Sequence, residues 1–294
     1  MHLLALALML FGANAASAIV ASAVLGPLVF AAVLVITFAA ARLLDHRPVV
    51  DLGIRADRAR ALDLGAGIAV GAGSIALVAA LERAIGVADY ASMPIDGPRV
   101  ATVAFVAVFF VGVACQEELV FRGYQLLNLT EGLTSARLPA PRAAVLATLC
   151  SALAFGAAHA GNEGASILST VQVSIAGGTL LAVGFLLTGD LAFSVGLHFA
   201  WNFTQSILGM PVSGFVLSQG ALLTRTPHGS EVLTGGAFGP EASVLGLAAM
   251  LVGTAASVLY VRARYGTLSL RLRVATTPPP PPPPSASALP SDGR

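Results

Sequence analysis

The chain of 294 residues contains no lysine: all sixteen basic residues are arginine, set against fifteen acidic ones, for a formal net charge of +1. A polybasic block that would bind nucleic acid or a lysine-rich lipid patch is therefore missing, and no nucleic-acid partner is expected. Cysteine is nearly as scarce. Cys115 and Cys150 both fall in apolar runs, so the sequence offers neither a disulfide framework nor a CxxC metal motif. Charged residues supply only 11% of the chain, whereas hydrophobic ones supply 56% and the mean hydropathy is +0.84. Soluble domains carry about 25% charged residues, so this balance excludes an ordinary water-soluble globule and makes lipid the expected solvent.

What the chain does have is long apolar runs. The N-terminal stretch MHLLALALMLFGANAASA is shaped like a secretory signal but lacks a positive leading region. Its apolar character continues without a charge to Ala41, about 60 Å of helix at about 1.5 Å per residue, or two membrane thicknesses. Two spans are expected there, at 3–22 and 26–43, hinged near Gly26-Pro27. Six more follow at Leu64–Ile85, Val100–Leu127, Ala143–Ala160, Ile167–Thr188, Leu191–Leu208 and Ser243–Val261. The fold class expected is an all-α, polytopic transmembrane bundle of about eight spans in the cell membrane. With that count, thirteen arginines share one side and only Arg83, Arg99 and Arg225 lie on the other, which points to a cytoplasmic N-terminus and C-terminus.

The organisation then divides into four parts. Residues 1–99 hold N-terminal membrane helices with an interfacial cytoplasmic segment at 44–63, rich in arginine and aspartate. Residues 100–209 form a membrane core, and 210–265 a loop and the last helix. Residues 266–294 end in TTPPPPPPPSASALPSDGR, a disordered proline-rich cytoplasmic tail by composition. In the sixth span the glycines of SIAGGTLLAVG suit close helix packing.

Ionisable groups inside lipid cost several kcal/mol unless they face a protein cavity, so each such residue raises a question of function. They are Glu117, Glu118 and Arg122 in the fourth span, His159 closing the fifth, and His198 in the seventh, with the amide of Asn202 four residues beyond. Glu118 and Arg122 share one helix face, so the arginine can neutralise that carboxylate, while Glu117 points about 100° away. The same spacing pairs Phe155 with His159 and His198 with Asn202. A structural ion pair, an interfacial histidine and interhelical hydrogen bonding are the plain readings of these features taken singly. Together they form a hydrolytic set: a carboxylate to deprotonate water, imidazoles to orient it or bind a metal, and an amide to donate to an oxyanion.

EELVFR (Glu117 to Arg122), FGAAH (Phe155 to His159) and HFAWN (His198 to Asn202) match, in order, the EExxxR, FxxxH and HxxxN signatures of the CPBP intramembrane proteases. The chain resembles that family, which includes CAAX prenyl endopeptidases and bacteriocin-processing or immunity proteins, over about residues 100–209. The resemblance implies an endopeptidase acting on lipidated or membrane-associated peptides. Glu117 would act with His159 on a water, His198 and Asn202 would stabilise the oxyanion, and Glu118 and Arg122 would support the site. It leaves two options for cofactors, Zn2+ on Glu117, His159 and His198 or a metal-free site; no HExxH motif is present. The implied partners are a peptide or protein substrate and the bilayer. Traced along its span, Glu117 is expected two-thirds to three-quarters of the way toward the arginine-rich, cytoplasmic side. A proton-coupled transporter using the same buried carboxylates, or a non-catalytic immunity or scaffold protein, are the alternative readings.

Overall fold

The protein is described here from a computed structural model covering residues 15–217 and 220–272. Within those residues it is a helical bundle: α1 (Ala15–Leu43), α2 (Arg58–Ala84), α3 (Gly97–Leu133), α4 (Ala140–His159), α5 (Ile167–Thr188), α6 (Ala192–Ile207) and α7 (Val244–Tyr265). Five of these, α2, α3, α4, α5 and α7, are long and apolar enough to cross a membrane. Helix α6 is shorter and lies among the others with both histidine-motif residues buried. The first expected span lies mostly outside the described residues, as does most of the proline-rich tail. The backbone of α1 is one continuous helix through Gly26-Pro27, where a hinge was expected.

Glycine sets the closest helix contact. α2 and α6 run side by side, and a β-carbon at Gly67 would lie 2.1 Å from the carbonyl oxygen of Phe193. At Gly71 it would lie 2.3 Å from that of Leu197, and at Gly196 of α6 2.3 Å from that of Leu64. Helices in lipid gain little from burying apolar surface against each other, so small residues that let backbones touch are what hold them together. The contact fixes the height of His198 in the bundle. The same device recurs between α4 and α5, where a β-carbon on Gly178 would meet that of Ala152 at 2.6 Å.

Each end of the bundle is tied by its own polar cluster. At the arginine-rich end, buried Asp63 of α2 accepts from Tyr260 (2.7 Å) and Tyr265 (2.6 Å) of α7 and from Arg60 (3.0 Å). Arg60 also faces Asp190 in the α5–α6 turn at 3.4 Å, and Arg47 pairs with Glu131 at the end of α3. At the other end, strands β1 (Ala88–Ser92) and β2 (Leu223–Pro227) form an antiparallel ribbon joining the α2–α3 and α6–α7 connections. Beneath it Arg225 grips fully buried Glu82 with two bonds, of 2.6 and 2.9 Å. Tyr90 donates to the same carboxylate. Burial, followed by that bond, pushes the Tyr90 phenol well above its usual range.

Removing one partner of such a pair strands the other charge in a dry site, at a cost of about 3–5 kcal/mol. Arg225→Met is therefore expected to lower stability in detergent by about that much, while Arg225→Met combined with Glu82→Gln recovers a large part of it. Denaturant unfolding of the two single variants and the double variant checks this, and simple additivity would refute the coupling.

Candidate active site

α3 begins where Asp96 accepts the backbone N–H of Arg99 at 2.9 Å, with Pro98 in the first turn, and it runs unbroken to Leu133. Midway it widens: Leu119–Leu126, immediately after the two glutamates, is π-helical. α5 carries a second such segment at Val173–Gly177, also beside the site. Wide turns of this kind are rare and concentrate at functional positions, because the extra residue pushes side chains out of α-helical register.

Glu118 is fully buried and holds the centre. Its Oε1 accepts from Arg122 Nη1 at 2.9 Å and from His198 Nδ1 at 2.8 Å. A carboxylate can only accept, so His198 carries its proton on Nδ1 in this bond, and its Nε2 is turned toward Glu117, 3.8 Å from Oε2. Arg122 is fixed on its other sides by the carbonyl of Gly178, at 3.3 Å, and by the face of Phe155, whose centroid is 4.4 Å from the guanidinium carbon. The ion pair read from the sequence is present, and Glu118 also orients a histidine from another helix, which single-helix spacing cannot reveal.

Glu117 differs from its neighbour in the way helix geometry requires. It lines a cavity, 15% exposed, and its Oε2 makes no hydrogen bond within the described residues. His159, His198 and Asn202 line the same cavity, so the three motifs meet in space. His159 contacts the cavity through its ring, with Nδ1 held by the Phe155 carbonyl at 2.7 Å, leaving Nε2 uncommitted by that bond. Gly156, inside the second motif, lets α5 approach: a β-carbon there would overlap the Ser174 hydroxyl.

Among the described residues no three His, Cys, Asp or Glu side chains are grouped to hold one ion, Glu117, His159 and His198 included. Nδ1 of each histidine is engaged, by Glu118 and by Phe155, which leaves Nε2 as the ring nitrogen that could meet a water or an ion.

α3 extends beyond both ends of the apolar run, so Glu117 stands twenty residues from Gly97 and sixteen from Leu133, near the middle of the helix. His159 is the last residue of α4, at the end away from the arginines.

Part of the site comes from a segment that motif reading does not reach. Between α6 and α7 the chain forms a tight hairpin closed by the Val212–Phe215 bridge, with Ser213 in the left-handed region (φ 46°). Val212, Ser213 and Phe215 face the cavity. Buried Glu241 clamps this hairpin: it accepts from Ser213 N and Oγ, each at 3.2 Å, and from Gln205 Nε2 at 2.7 Å. Gln205 also donates to the Pro211 carbonyl. One sequence signal existed, since Gln205 follows His198 and Asn202 on the same face of α6. Glu241 itself, alone in a Gly-Pro loop, gave none.

A multi-pass membrane protein with a buried carboxylate–histidine cluster is thus defined by fold and site together. Residues 99–204 match the family model described as type II CAAX prenyl endopeptidase Rce1-like, a stretch containing all three motifs. The match supports a relationship to the CPBP/CAAX proteases and, in general terms, a CAAX-type membrane protease. No curated protein and no solved structure gives a match.

Burial pushes the Glu241 carboxyl up to about 7, against which its hydrogen bonds act only in part. The folded state therefore binds a proton that the unfolded chain has released between the ordinary carboxyl pKa of 4.5 and about 7. The resulting stabilisation is complete at the acid end of that window and is lost as pH rises through it. Glu241→Gln removes this dependence, so thermal unfolding of wild type minus variant should fall as pH rises from about 4.5 to about 7. A pH-independent difference would show that the carboxyl does not titrate there.

Proposed function

We propose that the protein is an endopeptidase of the membrane that hydrolyses peptide bonds in lipidated or membrane-associated substrates with a water activated by Glu117. The observation that carries this reading is the contrast between the two adjacent glutamates. Glu118 is fully buried, bonded through Oε1 to Arg122 and His198 with its unbonded Oε2 shut away from the cavity, while Glu117 presents an unbonded oxygen to a cavity shared with His159, His198 and Asn202.

A water hydrogen-bonded to Glu117 can also reach a histidine, since His198 Nε2 is only 3.8 Å from the carboxylate. Glu117 takes a proton from that water as its oxygen adds to the scissile carbonyl, then gives the proton to the departing amine. His159, with Nδ1 committed to Phe155, accepts or orients through Nε2. The tetrahedral oxyanion receives the Asn202 amide and, when His198 holds a second proton on Nε2 besides the one shared with Glu118, that ring N–H, donors held in place before reaction. Arg122 and Glu118 are positioning residues: they fix the ring of His198 without touching substrate.

The test is cleavage of a lipidated peptide library by purified protein in detergent, with and without a chelator. Glu117→Gln is expected to lower kcat by about 10²–10⁴-fold and Asn202→Ala by about 10²–10³-fold, both with wild-type melting behaviour. Cleavage at the wild-type rate by Glu117→Gln, His159→Ala and His198→Ala would sink the proposal. Loss of activity on chelation would replace its metal-free step.

A further inference from the structure

Resting on the proteolytic reading, we propose that Glu241 is a positioning residue for the reaction: through the Val212–Phe215 hairpin it ties the end of α4, and with it His159, to the face of α6 that carries Asn202.

The need for such a tie follows from how the two histidines are held. His198 is pinned from another helix, by Glu118 of α3. His159 is not: within the described residues its hydrogen bond runs to the Phe155 carbonyl of its own helix. It is also the last residue of α4 and only half-buried, so no further helical turn fixes it. A helix end leaves backbone groups without partners inside the helix and depends on what lies beyond it. The placement of His159 against Glu117 and Asn202 is therefore set by whatever holds residues 160–165.

What holds them is the hairpin. Asn162 donates its backbone N–H to the His159 carbonyl at 3.1 Å and its side-chain amide to the Ser213 carbonyl at 2.8 Å, so one residue joins the histidine to the hairpin. Beside it the backbones touch. A β-carbon on Gly214 would lie 2.3 Å from the Glu163 carbonyl oxygen, and one on Gly164 2.6 Å from the Phe238 nitrogen. Gly214 in turn donates to the Phe238 carbonyl at 2.7 Å. The α4–α5 connection is thus seated between the hairpin and the segment leading to Glu241.

The hairpin itself needs an anchor, because Ser213 occupies left-handed backbone that a residue with a side chain holds only when its surroundings impose it. Glu241 imposes it: Oε1 accepts from Ser213 N and Oγ, and Oε2 accepts from the Gln205 amide. Gln205 lies three residues beyond Asn202 and seven beyond His198, on the same face of α6. One carboxylate, 4% exposed, therefore connects the last turn of α6 to the last turn of α4. Burying such a group stabilises little by itself; what it supplies here is fixed geometry.

The experiment uses the full chain in detergent, labelled with 15N in histidine. It reads the ring signals, assigned with His159→Gln and His198→Gln, together with cleavage of the lipidated peptide library. Asn162→Ala, Gln205→Leu and Glu241→Leu are each expected to shift the His159 ring signals, although Gln205 and Glu241 make no hydrogen bond to it. His198, pinned by Glu118, and exposed His228 keep theirs. The same variants are expected to lower kcat by up to about 10²-fold with KM within about twofold of wild type. Glu241→Gln still offers Ser213 an acceptor, and the unbonded Gln205 Oε1 can turn toward it, so most of kcat and the wild-type His159 signal are expected to return. Unchanged His159 signals in folded Gln205→Leu and Glu241→Leu overturn the proposal, as does an unchanged kcat in both. If Glu241→Leu does not fold, Gln205→Leu decides, since it reaches His159 only across the clamp. Shifted His159 signals with no peptide cut by the wild type support the tie and count against proteolysis itself.

Discussion

The rest of the site depends on keeping one carboxylate charged where no water reaches it. Glu118 is surrounded by helices, and an isolated anion there would not persist. Its neutralisation by Arg122 from the same helix and its bond to His198 from another therefore decide how α3 and α6 sit against each other. Breaking that arrangement would lose the ring orientation of His198 before it changed anything at Glu117. The glycine contact between α2 and α6 serves the same end from the outside, because only backbone-to-backbone approach brings His198 to the height of Glu118.

The two glutamates thus divide labour by exposure more than by chemistry. One is ion-paired and enclosed, its second oxygen out of reach of a substrate; the other is left under-bonded in a cavity lined mostly by apolar side chains. The aromatic pairs Phe121–Phe155 and Phe155–His159, with centroids 5.2 and 4.7 Å apart, enclose that cavity on the α4 side. A dry wall strengthens every electrostatic contact made within it.

Much of this was legible in the chain. Helix α5 occupies Ile167–Thr188, as the apolar run indicated, and α4 and α6 deviate by a few residues at their ends. The ion pair of Glu118 with Arg122 and the isolation of Glu117 followed from spacing within one helix. Contacts between distant segments did not: the Glu118–His198 bond, the Asp63 cluster, the Glu82–Arg225 pair and the Glu241 clamp each join residues whose separation carries no period. The ribbon of β1 and β2 was hidden for a related reason, since its polar strands lie in loops outside the apolar runs. The reach of α3 to Leu133 was hidden because hydropathy ends at the last apolar residue, while the helix continues through a polar segment that packs against α4.

The wide turn in α3 has an effect on how the helix is read as a surface. Each π-type turn absorbs one residue more than an α-turn, so a helical wheel drawn from Gly97 drifts by about 100° once it passes Leu119. Residues on either side of that point belong to two wheels with a phase jump between them. Arg122, Gly123 and Leu126 turn inward on the second wheel, and Val106, Phe110 and Val113 do so on the first. The same residues wound as a regular α-helix through Leu119–Leu126 would turn the two halves away from each other by about that angle. In this segment irregularity is the condition for packing both halves at once.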